Sequence, residues 1–183
     1  MKQIFSLLLA ALLCLCTLLP ALAETPGRAP LPAADFHAAY TTAYTAAFGG
    51  IPLSWITDTT DDGETWLALM DGQLPMAMVS VRDGLVTDVA VLYDAAANDD
   101  ELFSFILMCS VTGAALHAED LAEPEAALST AVNDVYDALD ALLASGMPTV
   151  TLWGAESYFE FELQEDGNCH YLLVLDLSGE VLP

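Results

Sequence analysis

The sequence predicts an α+β fold, a mostly antiparallel sheet with helices packed on it, in the order α-ββββ-αα-βββ. Three observations predict it. Asp-Gly recurs at Asp62-Gly63, Asp71-Gly72, Asp83-Gly84 and Asp166-Gly167, each time between segments of alternating apolar residues. Glycine accepts positive φ and aspartate tolerates it, so this dipeptide marks hairpin turns. Phe36, Tyr40, Tyr44 and Phe48 repeat every four positions, which lines them up on one helical face. Two more helical patterns then follow one another in mid-chain, and grouped hairpins with grouped helices are the signature of an α+β sandwich.

Taken in order, the first helix runs from Asp35 to Phe48 and is stopped by Gly49-Gly50 and Pro52. Strands are expected near 53–58, 64–70, 75–82 and 85–93, joined by the first three Asp-Gly turns into a meander. Asn98 can cap the second helix, with Glu101 reaching back as in a capping box, and Leu102, Phe105, Ile106, Cys109 and Gly113 share one face. The third helix opens at Pro124 and carries Leu128, Val132, Val135, Leu139 and Leu142 until Gly146. Strands near 148–153, 156–164 and 168–177 complete the chain.

The N-terminus reads differently. Lys2, an apolar run from Ile4 to Leu19, Pro20 and then Ala21-Leu22-Ala23 make a secretory signal peptide over residues 1–23, cleaved after Ala23. The competing reading, a retained anchor, lacks an explanation for the A-x-A site. Export to a secreted or extracytoplasmic location is expected. Residues 24–32, with three prolines and a glycine, read as an extended linker, and 33–183 as one α+β domain. No later stretch is apolar for long enough to cross a bilayer, so no stable membrane insertion is expected after cleavage.

Charge narrows the partners. The chain carries 27 acids against 3 lysines and arginines, a net charge of −24, and only Arg28 and Arg82 balance the acids once the signal is removed. Such a surface repels phosphates and anionic headgroups, so nucleic acid is not an expected partner. It favours cations, basic proteins, or plain solubility.

Chemical motifs are sparse. Asp58, Asp61, Asp62 and Glu64 imitate the first half of a calcium loop, but a loop opening at Asp58 puts Leu69 where the bidentate glutamate belongs. A turn with surplus carboxylates explains them. His37, His117, His170, Cys109 and Cys169 show no zinc-ligand spacing, and Met76 with Met78 suits packing better than copper, so no metal or other cofactor is expected. Cys109 and Cys169 are the cysteines left after cleavage; in an exported chain they either form a disulfide or remain separate buried thiols. Glu160 and Glu162 alternate with Phe159, Phe161 and Leu163, which puts both acids on one strand face, about 7 Å apart, a separation glycosidases use. The same alternation describes a half-buried strand with a wet face.

Residues 85–93 are apolar on both faces, with Leu85, Val89 and Val91 on one and Val86, Ala90 and Leu92 on the other; residues 171–175 behave alike. Either helices cover both sides of the sheet or one face awaits a partner. The leading expectation is therefore a non-catalytic interaction module for a protein or peptide, with Trp153, Tyr158, Glu160 and Glu162 as candidate surface residues. The alternatives are a small glycan hydrolase using Glu160 and Glu162, and a structural homodimer.

Overall fold

A computed structural model of the chain describes residues 30–61, 63–117 and 122–178. The signal peptide, its cleavage point, the linker up to residue 29 and Asp62 lie outside the described residues. The element order is α1 (Ala33–Phe48), β1 (Leu53–Thr60), β2 (Gly63–Met70), β3 (Leu74–Arg82), β4 (Leu85–Ala96), α2 (Asp99–Leu116), α3 (Pro124–Ser145), β5 (Thr149–Leu152), β6 (Ala155–Leu163) and β7 (Asn168–Asp176). This is the expected α+β arrangement, α-ββββ-αα-βββ.

The seven strands form one sheet in the order β1-β2-β3-β4-β7-β6-β5, and every pair is antiparallel. Local chemistry closes the hairpins. Asp83 and Gly84, at φ 54° and 77°, turn the chain between the paired residues Arg82 and Leu85, the double positive φ that matches strand twist. The two helices α2 and α3 carry the chain from β4 to β5 at the far edge, and β6 and β7 then fold back until β7 pairs with β4. Leu31 and Pro32 continue the sheet where β7 has ended: the Val86 amide donates to the Leu31 carbonyl at 2.9 Å and the Ala33 amide to Gly84 at 2.9 Å. The last two residues of the expected linker are thus pinned to the fold.

All three helices lie on one face. Tyr40 of α1 meets Trp55 of β1 edge-on at 5.3 Å, Phe105 of α2 lies on Tyr171 of β7 at 5.5 Å, and Leu139 and Leu142 of α3 share an apolar cleft with Phe159 and Tyr171. Helix α2 sits between α1 and α3 and over β3, β4 and β7, which is why nearly every residue from Phe105 to Leu116 is buried. Phe36, Tyr40 and Tyr44 fill the space between α1 and the sheet. Removing any of these large side chains should cost about 3–5 kcal/mol.

The capping of α2 is half of what the sequence predicts. The Asn98 side chain accepts the Glu101 amide at 3.0 Å, but the Glu101 carboxylate turns to the hydroxyl of Tyr93 instead of reaching back. Burial together with that carboxylate pushes the Tyr93 phenol up to about 12.

Two bulges overturn the expected alternation. Ala77 pairs with Ala68 and Pro75 with Leu69, leaving Met76 as the extra residue. Met76 is fully buried and Met78 is 48% exposed, so the two methionines do not share an environment. Likewise Val81 pairs with Val86 while Ser80 pairs with Asp88, so Thr87 is the extra residue and Val86 joins Val89 and Val91 in the core. Leu85 is left at the rim.

Of the two alternatives for the cysteines, the structure has the separate thiols. Cys109 and Cys169 are both buried free thiols. Where Phe105 lies over Tyr171, Cys169 is two residues back along β7 and Cys109 is one helical turn ahead along α2. The two displacements point in opposite directions and separate the cysteines by on the order of 10 Å, beyond the reach of an S–S bond. Cys109 neighbours Tyr40 instead, and burial raises its pKa well above the usual thiol value.

Candidate functional site

The candidate site is the sheet face opposite the helices. Strand pairing carries one row of side chains across it: Ile56 pairs with Leu67, Leu67 with Met78, Met78 with Ala90, and Ala90 with Val174. The row continues through Tyr158 to Thr149 at the far edge. Beside it, Leu92 pairs with Leu172. Ile56 is 55% exposed and Met78 48%, while Leu67, Ala90, Leu92, Leu172 and Val174 are partly buried by their own neighbours. Among the described residues no helix or loop lies over this row. An apolar stripe running across five strands in contact with water is unusual for a folded surface and is a feature of interaction sites.

Carboxylates border the stripe on both sides. One border is the next row of the pairing, Asp58, Asp88, Asp176 and Glu156, interleaved with Thr65, Ser80 and Thr151. Asp176 is mostly buried and accepts the Ser178 amide at 2.8 Å and hydroxyl at 2.6 Å; Asp58 and Glu156 are exposed. On the other side, Glu160 pairs with Leu172, and Asp94, His170 and Glu162 stand in one row. The His170 Nδ1 lies 2.6 Å from an Asp94 oxygen. Tyr158 donates its hydroxyl to Glu160 at 3.0 Å, a bond that raises the Tyr158 pKa above the ordinary phenol value.

The expected surface residues therefore divide. Tyr158, Glu160 and Glu162 are on this face, at the right positions to border the stripe. Trp153 is not: it is 9% exposed, held in the β5–β6 turn with φ 52°, and its indole Nε1 donates to Asp134 at 3.0 Å. Gly113 of α2 accepts the ring so closely that a Cβ there would stand 2.2 Å from Trp153 Cζ2. Trp153 is a fastener between the last hairpin and the helices.

Glu162 is exposed and Glu160 half-buried on the sheet face. Neither lines the cleft of about 870 Å³ beside Trp153 or that of about 860 Å³ beside Trp66. A glycosidase needs its two carboxyl groups on opposite sides of a bound sugar. Here both project from one strand in the same direction, one to a tyrosine hydroxyl and the other beside an imidazole.

The calcium-like stretch also separates. Asp58 belongs to the open face, whereas Glu64 stands in the opposite, helix-side alternation, exposed, and accepts Trp66 Nε1 at 2.8 Å. Asp61 lines the cleft beside Trp66. Among the described residues no three His, Cys, Asp or Glu side chains are grouped to hold a metal ion.

The stripe residues Ile56, Leu67 and Met78 were not legible as a site. Their signal is the alternation of β1 and β2 carried through the pairing register, and the bulge at Met76 breaks it in β3. Among the described residues no helix is long and apolar enough to cross a membrane. Comparison with protein-family models, curated proteins and solved structures finds no match.

Proposed function

We propose that this chain is an exported, non-catalytic interaction module that binds a protein or peptide through the open face of its sheet. The observation that supports this reading is the contiguous stripe from Ile56 to Val174, uncovered by any described element and bordered by carboxylates. Burying such a row returns roughly 25 cal/mol for each Å² of apolar surface, and the polar borders supply orientation. The three helices have already buried the other face, so the module can present this one on a rigid support.

A displayed peptide library selected against the mature protein tests the reading. Binders should lose affinity for Met78→Asp and Ile56→Asp variants and keep it for Leu143→Asp, a change at an exposed leucine of α3 on the helix side. Binders indifferent to Met78 and Ile56, or none at all, would remove the sheet face as the binding surface.

A further inference from the structure

We infer that the occupant of this face is a cationic amphipathic helix presented by a partner protein, an inference that rests on the proposed binding role of the sheet. Charge carries it. Acidic side chains stand on both sides of the apolar stripe, Asp58 and Glu156 along one border and Asp94, Glu160 and Glu162 along the other. His170 is the basic group within the second border, and Asp94 already engages it. A second copy of this chain carries the same acidic borders, so it offers no cationic flank to offset them. A partner with lysine or arginine on both flanks of an apolar ridge complements it on both sides at once.

Geometry selects the helix. From Ile56 on β1 to Val174 on β7 the stripe crosses five strands, so at about 4.8 Å per strand spacing it is roughly 19 Å long. A helix of about 13 residues has that length. Its apolar side chains return to one face about every 5.4 Å, close to the spacing of the strands beneath them. An extended chain along the same row repeats at about 6.7 Å and falls out of step within a few strands. The bordering acids then face the positions on either flank of the helix, where its basic residues lie.

The test uses two synthetic helical peptides long enough to span the stripe, with the same leucine ridge, one flanked by lysines and one by glutamates, titrated against the mature protein by fluorescence anisotropy. The lysine peptide is expected to bind, to weaken as salt rises, and to lose about tenfold or more in affinity in Met78→Asp and, separately, in Ile56→Asp. It should weaken comparably in Asp58→Asn with Glu156→Gln, and stay unchanged in Glu125→Gln with Asp140→Asn, which removes the same charge from α3. Equal binding of both peptides through Met78 would overturn the cationic partner and leave the binding surface standing. Equal losses from the two charge-neutralised proteins, with no effect at Met78 or Ile56, would reduce the attraction to diffuse charge and overturn the inference. Failure of both peptides to bind, or a dimer by light scattering that Met78→Asp dissociates, would overturn it too, the second outcome assigning the face to another copy of this chain.

Discussion

The indole Nε1 of Trp153 donates a hydrogen bond to Asp134 at 3.0 Å, and the edge of the same ring fills the notch left by Gly113. This joins the β5–β6 turn to the middle of α3 and the C-terminal half of α2. The last hairpin borders the candidate site through Tyr158, Glu160 and Glu162, so the fastener behind the sheet sets the position of side chains in front of it.

Gly113→Ala should therefore destabilise the protein by about 1–3 kcal/mol, because the ring must move to admit the methyl group. Thermal or urea unfolding measures it. In a Trp153→Leu background the same alanine should cost much less, and equal costs in the two backgrounds would mean that the close approach is not what glycine provides.

Tyr93 gives a pH dependence with a definite sign. In the unfolded chain its phenol ionises near the ordinary value of 10.0, while in the folded protein burial and Glu101 hold it protonated to about 12. Unfolding then releases a proton between these values, so the stabilising contribution is complete below about pH 10 and is lost as the pH rises toward 12. Tyr93→Phe should make the fall of stability between pH 10 and 12 shallower in urea titrations. A slope identical to that of the parent protein would count against the shift.

In protein lacking residues 1–23, Cys109 and Cys169 should both titrate as free thiols after denaturation, and reducing agent should leave the unfolding midpoint unchanged. In the folded state Cys109 should react far more slowly than an exposed thiol, because burial suppresses the thiolate. Recovery of fewer than two thiols from freshly unfolded, unreduced protein would restore the disulfide.

The bulge at Met76 is testable by a pair of substitutions. Met76→Ala should cost about 2–5 kcal/mol and Met78→Ala within roughly 0.5 kcal/mol, since one side chain is enclosed and the other half in water. Similar costs at the two positions would mean that the alternation of β3 is unbroken and Met78 is no part of an open stripe.

Much of the fold was legible because its causes are local. Asp83-Gly84 turns the chain through its own backbone preferences, Gly49 and Gly146 end their helices, and the four-residue repeat of Phe36, Tyr40 and Tyr44 declares a buried helical face before any partner is known. The site was legible only in part. Glu160, Glu162 and Tyr158 could be put on one face by simple alternation, which holds in β6. In β3 and β4 a single extra residue reverses that alternation; Pro75 beside Met76 is a mark of the first bulge, since inner strands admit proline mainly at their start or at a bulge, and Thr87 carries none.

The sequence by itself determined the secondary structure, its order and the strongly acidic character, because backbone preference, side-chain periodicity and charge are properties of short stretches or of simple composition. Only the tertiary structure decided which face of the sheet the helices cover, that Trp153 is buried behind it, and that Cys109 and Cys169 are too far apart to bond. Those outcomes depend on the handedness of chain connections and on volumes meeting between residues distant in sequence. Gly113 and Trp153 fit each other only once two helices and a hairpin have come together.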